Sequence, residues 1–102
     1  YPDGKVIGQL LTRGIFQKKM QPVITIIKPG GKSDKTSKLI HPPGSEEFVL
    51  VLEGEIDFWI GTDHLTLQEG DTLYFKGDLS HGWANSGEKT ARVLFTWTPP
   101  VW

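Results

Sequence analysis

Glu46-Glu-Phe-Val-Leu-Val-Leu-Glu-Gly-Glu55 sets an unbroken apolar run between acidic ends and closes on a glycine. The run is too short for a helix and stops at a turn signal, so it reads as a β-strand over Glu47–Glu53. Both of its faces are apolar, which predicts a strand covered on both sides. Side chains alternate along a strand, so an inward Glu47 carries Val49 and Val51 inward with it. A buried carboxylate is costly unless it is paired, hydrogen-bonded or bound to a metal. Glu47 therefore marks a metal ligand, a ligand-recognising acid or a structural acid at a strand start.

The same pattern extends in both directions. Upstream, Val6–Thr12 reads as a strand, and Gln21–Lys28 contains the β-branched run Val23-Ile-Thr-Ile-Ile27. Pro29–Ser37 reads as a loop. Downstream, Gly54-Glu55 makes a hairpin into Ile56–Ile60, and Gly61-Thr-Asp63 turns the chain into His64–Gln68. Further strands are expected at Thr72–Phe75, His81–Ala84 and Thr90–Thr98, before Pro99-Pro100 ends the pattern. No stretch has a helical period. Short strands separated by Gly and Pro turns imply an all-β sandwich or barrel. The chain of 102 residues is expected to form one domain, with residues 1–19 leading into a barrel over 20–98.

Composition narrows the function. A formal net charge of −1 gives this domain no electrostatic reason to grip nucleic acid. The absence of cysteine removes disulfides, thiolate metal sites and cysteine nucleophiles, and leaves a cytoplasmic location as the default expectation. No apolar run approaches the ~18 residues that span a bilayer, so no membrane partner is expected. Tyr1-Pro-Asp-Gly-Lys5 is not a signal peptide and lacks an initiator Met, which suggests a processed chain or a piece of a longer one.

Strand parity also places His81 and Trp83 on one face, so an imidazole and the Glu47 carboxylate can meet across a barrel. Histidine and carboxylate are suitable donors for Fe, Mn, Ni or Zn. At these residues the chain resembles the cupin superfamily. Glu47 and Gly54 have six residues between them, as the family's first motif requires. His41 occupies the first or the second histidine position of that motif, depending on register, and the other histidine is absent. Gly70, His81 and Asn85 fit the second motif without a gap, while Lys76 and Asp78 replace its Pro and Gly.

A narrower resemblance is carried by Glu46–Glu55, Gly70–Phe75, Ser80–Asn85, Ala91–Leu94 and Thr98-Pro-Pro100. It is similar to the C-terminal sensor domains of Xre-type helix-turn-helix transcriptional regulators. The resemblance implies a double-stranded β-helix, or jelly-roll barrel, with a small-molecule effector inside, while strands with two apolar faces suggest that one outer face is also covered and so a homodimer. It implies DNA contact only through an upstream helix-turn-helix domain. Glu47, His81, Val49, Val51 and Trp83 would contact the ligand, and His41, Glu47 and His81 would hold one divalent metal. The alternative it leaves open is a stand-alone metal-dependent enzyme, a dioxygenase or an isomerase.

Other residues have plainer readings. His64, beside a hairpin turn, reads as a surface histidine, and Trp59 as a rim or subunit-contact residue. Asn85 is expected to close the turn after its strand. Lys28, Lys32, Lys35 and Lys38 read as a solvated basic loop that could also attract an anion. Gly31-Lys-Ser33 lacks the earlier glycine and the following helix of a phosphate-binding loop, and is rejected as one.

Overall fold

A computed structural model describes residues 4–10, 19–33 and 43–98. Eight strands follow one another without a helix among the described residues: β1 (Val6–Leu10), β2 (Gln21–Ile27), β3 (Glu46–Glu53), β4 (Glu55–Ile60), β5 (Asp63–Gln68), β6 (Thr72–Lys76), β7 (His81–Ala84) and β8 (Ala91–Thr98). They form two antiparallel sheets, one of five strands in the order β1-β2-β8-β3-β6 and one of three in the order β5-β4-β7. This is the expected jelly roll. The expected strand bounds move by one residue at several ends. Of Val6–Thr12, the part beyond Leu10 lies outside the described residues.

Alternation decides which side chains fill the interior. On β2, Gln21, Val23, Thr25 and Ile27 are buried, with half-buried residues between them. On β8, Ala91, Val93 and Phe95 do the same. The two sheets close on each other through aromatic rings. Phe58 of β4 lies 5.6 Å from Phe75 and 6.4 Å from Phe95, and Trp83 of β7 lies 5.7 Å from Phe95, centroid to centroid. Such pairs add to the area that aromatic side chains remove from water.

One expectation needs correction. Among the described residues, β3 is sealed on one face and only partly covered on the other. Its Val49 and Val51 are sealed in the core, but Phe48 is exposed and Leu50 half-buried on the other side. Two apolar faces in sequence do not mean two covered faces within this chain.

The stretch after β2, expected as plain loop, is partly built into the smaller sheet. Lys32 bridges to Ala84. The Ser33 amide donates to the Trp83 carbonyl at 2.9 Å, and the Asn85 amide donates to the Gly31 carbonyl at 2.8 Å. The Asn85 side chain donates to the carbonyls of Ile27 and Lys89, both at 2.8 Å, and accepts from the Gly87 amide at 3.0 Å. Asn85 therefore closes its own turn, as expected, and also fastens the end of β2 to the end of β7.

Gly54 shows how tightly the hairpin between β3 and β4 is set. Its φ is +82°, and a Cβ there would sit 3.0 Å from the Ala91 Cα and 3.0 Å from the Thr90 carbonyl oxygen. A side chain would be strained by conformation and blocked by backbone at once. Gly54→Ala is expected to lower unfolding free energy by about 2 kcal/mol or more, measured by urea denaturation against wild type.

Candidate functional site

The site lies at one end of the barrel interior and is assembled by register. Gln21 of β2 pairs with Trp97 of β8, Trp97 with Glu47 of β3, and Glu47 with Phe75 of β6. These four share the inner face of the larger sheet as one row. The next row inward is apolar: Val23, Phe95, Val49 and Leu73. From the smaller sheet, His81 begins β7 and pairs with Ile60. The polar end thus faces an apolar wall on the inside.

Glu47 and His81 meet across the two sheets. The His81 Nε2 stands 3.1 Å from the Glu47 Oε2, with side chains 1% and 5% exposed. Aromatic rings enclose the imidazole. It stacks against Phe58 at 6.3 Å and 3° and is tilted on Phe75 at 4.8 Å. Its Nδ1 lies 2.9 Å from the Leu79 carbonyl oxygen.

That last contact settles the tautomer. A carbonyl oxygen can only accept, so Nδ1 carries a hydrogen and donates it. Nε2 then presents either a lone pair or a second proton to a carboxylate oxygen. Two lone pairs at this distance repel, so the pair requires a shared proton or a bound cation. Burial alone would lower the His81 pKa. The Glu47 carboxylate and the Leu79 carbonyl outweigh burial, and the net shift is upward from the ordinary 6.5.

The direction has a measurable consequence for metal-free protein. A histidine with a raised folded-state pKa stabilises the fold fully below the unfolded value of about 6.5. That contribution fades as pH rises through the higher folded value. After chelator treatment, the unfolding free energy of wild type relative to His81→Phe is expected to fall from pH 6 towards pH 9. Urea melts across that range check it. A difference that grows with pH would reverse the assigned sign.

The other residues singled out from sequence sort as follows. Val49, Val51 and Trp83 are buried in the main core, on the Glu47 and His81 faces as parity requires. His41 lies outside the described residues. Among the described residues no group of three or more His, Asp or Glu converges as a metal site. His64 is on the surface, stacked on Trp59 at 5.0 Å and 11°, with its Nε2 3.3 Å from the Asp57 carboxylate. Hydrogen bonds from Ser86, His64 and Thr66 hold the Asp57 carboxyl below its ordinary value despite some burial. Sequence reasoning missed Gln21, which is fully buried in the Glu47 row. It missed Phe58 and Phe75 as the walls of the imidazole. The signal for Gln21 was present, since it falls in step with Val23, Thr25 and Ile27.

With this geometry in view, the comparisons agree on family. A family model described as "Cupin domain", Cupin_2, matches residues 23–97, and the chain belongs to that family. A curated relative from Streptomyces cyaneus, "Polyketide synthase CurC", is 32% identical over 76 residues, covering 74% of this chain and 47% of the relative. The chain thus spans about half the length of that relative. Among solved structures, the Cupin_2 domain of an XRE family transcriptional regulator from Enterobacter cloacae superposes with a TM-score of 0.83 at 25% identity. It covers 95% of this chain and 99% of that one. A sugar phosphate isomerase of the cupin superfamily from Silicibacter pomeroyi superposes with a TM-score of 0.78 at 22% identity, covering 94% and 60%, and shares the fold. No helix among the described residues is long and apolar enough to cross a membrane.

Proposed function

We propose that this cupin is the effector-sensing domain of a cytoplasmic transcriptional regulator and takes a small polar molecule or a metal at the Glu47 and His81 end of its barrel. The observation that carries this reading is the match, over nearly the whole of both chains, with the cupin domain of an XRE family regulator. The domain works as a homodimer, and an attached helix-turn-helix segment makes the DNA contact. An effector shifts such a dimer only if it binds two arrangements unequally.

Within the barrel, Glu47 and His81 are the polar anchor, and Val49, Val51 and Trp83 are the apolar backing. The pair also suits a divalent cation, one of Fe, Mn, Ni or Zn. An Nδ1–H held by a carbonyl leaves Nε2 as donor, the usual outer-shell arrangement of a metal-bound histidine. Three protein ligands are the common minimum for an open site, and His41 is the candidate third. A bound cation would supply Lewis acidity and open positions for a ligand's oxygen atoms.

Two measurements test these readings. A reading frame that starts near Tyr1 and encodes no DNA-binding segment would sink the regulator. For the anchor, protein purified without a metal-binding tag is expected to carry near-stoichiometric metal or a small-molecule mass in native mass spectrometry. Glu47→Gln and His81→Ala should each lose it. A bound species retained by both variants would remove the pair from the site.

A second reading, a metal-dependent isomerase or dioxygenase, is favoured by the same His–carboxylate donor chemistry. It predicts turnover that stops on chelation and returns with added metal.

A further inference from the structure

The His81 imidazole stands between two acceptors. Its Nε2 faces the Glu47 carboxylate at 3.1 Å, and its Nδ1 faces the Leu79 carbonyl at 2.9 Å. The two acceptors differ in freedom. The carboxylate ends a side chain whose last torsion is soft, so it can turn towards a guest. The carbonyl belongs to the backbone and moves only if its segment moves.

That segment is pinned. Between β6 and β7 the chain makes a tight turn, in which the Leu79 amide donates to the Lys76 carbonyl at 3.1 Å. The Gly77 amide donates to the Ser45 carbonyl at 2.9 Å, one register step beyond the Glu46–Lys76 pair. The Gly61 amide, in the β4–β5 hairpin, donates to the Ser80 carbonyl at 2.7 Å. The turn is therefore tied to itself, to the lead-in of β3 and to the smaller sheet. Ser45 and Gly77 are buried, where water does not readily replace a backbone hydrogen bond. Leu79 leaves its side chain 46% exposed. What the fold uses of this residue is its carbonyl.

From this arrangement we infer that Lys76–Ser80 is a positioning element of the site, in which the Leu79 carbonyl holds the Nδ1 hydrogen of His81 and so leaves Nε2 as the nitrogen offered to a guest. The inference rests on the reading that Glu47 and His81 anchor that guest. The Gly77–Ser45 bond extends the same role. Ser45 lies two residues before Glu47, and Gly77 lies four before His81, so one bond sets the two anchors against each other.

The difference between the acceptors carries the chemistry. A guest that engages the carboxylate removes one partner of the imidazole. Without a fixed second partner, the ring would be free to turn over or to carry its hydrogen on the other nitrogen. The hydrogen bond made by one ring nitrogen decides which state the other presents. Outer partners of this kind are typically worth roughly 10–100-fold in the metal affinity of a histidine site.

The carbonyl can be weakened without altering a side chain. Replacing Ser80 by its α-hydroxy acid, through nonsense suppression in the full chain, makes the Leu79 carbonyl an ester carbonyl and a poorer acceptor. The same exchange at Asp78 leaves the Leu79 carbonyl an amide. Neither the Ser80 nor the Asp78 N–H donates a hydrogen bond among the described residues, so neither exchange removes one. With isotope-labelled histidine, wild type is expected to show a slowly exchanging Nδ1–H on His81, with and without added Zn²⁺. The Ser80 ester should lose that protection and bind Zn²⁺ about 10-fold more weakly or worse in calorimetric titration. The Asp78 ester should match wild type in both.

A Ser80 ester that matches wild type in ring exchange and in Zn²⁺ affinity would overturn the inference and leave the anchor reading intact. A wild-type Nδ1–H that exchanges freely would overturn it with no variant needed. Wild type that binds no Zn²⁺, yet keeps an Nδ1–H whose protection the Ser80 ester loses, would remove the cation from the anchor and uphold the turn.

Discussion

Glu47→Ala is expected to lower the unfolding free energy of the metal-free domain by about 3–5 kcal/mol, the cost of leaving one member of a buried pair without the other. For a domain of this length that is a drop of more than about 10 °C in Tm. The pH dependence separates this cause from simple loss of packing. His81 can shed its proton once the carboxylate is gone, so the penalty should be larger near pH 6 than near pH 9. The double replacement Glu47→Leu with His81→Phe is expected to recover most of the loss. The imidazole already lies among Phe58 and Phe75, and well-packed apolar residues often match or exceed a buried ion pair in stability. Thermal melts of wild type, Glu47→Leu, His81→Phe and the double variant, each with and without chelator, give the whole cycle. A double variant as stable as wild type but unable to hold a metal or ligand would mean that the pair is kept for binding.

Phe58→Ala is the second large effect, at about 3–5 kcal/mol. The ring is fully buried at the junction of both sheets, touching Phe75, Phe95 and the His81 imidazole. Removing it leaves a cavity that flanking β-strands cannot close, since strand spacing is set by backbone hydrogen bonds. Because the void opens beside His81, the variant should also lose the rigid placement of the imidazole. The checking measurements are a urea melt for stability and His81 ring-proton NMR signals for placement. A cost below about 1 kcal/mol would show that the core collapses into the space.

Much of this architecture is legible in the amino-acid sequence. The strand over Phe48–Leu52 and its parity with Glu47 follow from alternation alone, and the same rule places His81 with Trp83. Glycine and aspartate turns locate the hairpins because only a few residues accept those backbone angles. What alternation cannot supply is register between strands distant in sequence. Nothing local reveals that Gln21 and Glu47 flank Trp97 in one row, or that Tyr74 donates its hydroxyl to Glu46 across the β3–β6 pair. That bond is a property of the pairing, and it raises the Tyr74 pKa although the side chain is exposed. The second apolar face of β3 misleads for a related reason. Hydrophobic side chains state that a face avoids water, and they do not state which chain covers it.

The Asn85 fastening has a mechanical consequence. It ties the Ile27 end of the larger sheet to the Ala84 end of the smaller one, and the Gly31–Ser33 stretch runs between them. Glu47 and His81 sit at the far end of the same two sheets, where the Gly77–Ser80 link joins β6 to β7, its Gly77 amide donating to the Ser45 carbonyl and its Ser80 carbonyl accepting from the Gly61 amide. The barrel is therefore braced at both ends, and a guest at the polar end meets a closed frame rather than a free jaw.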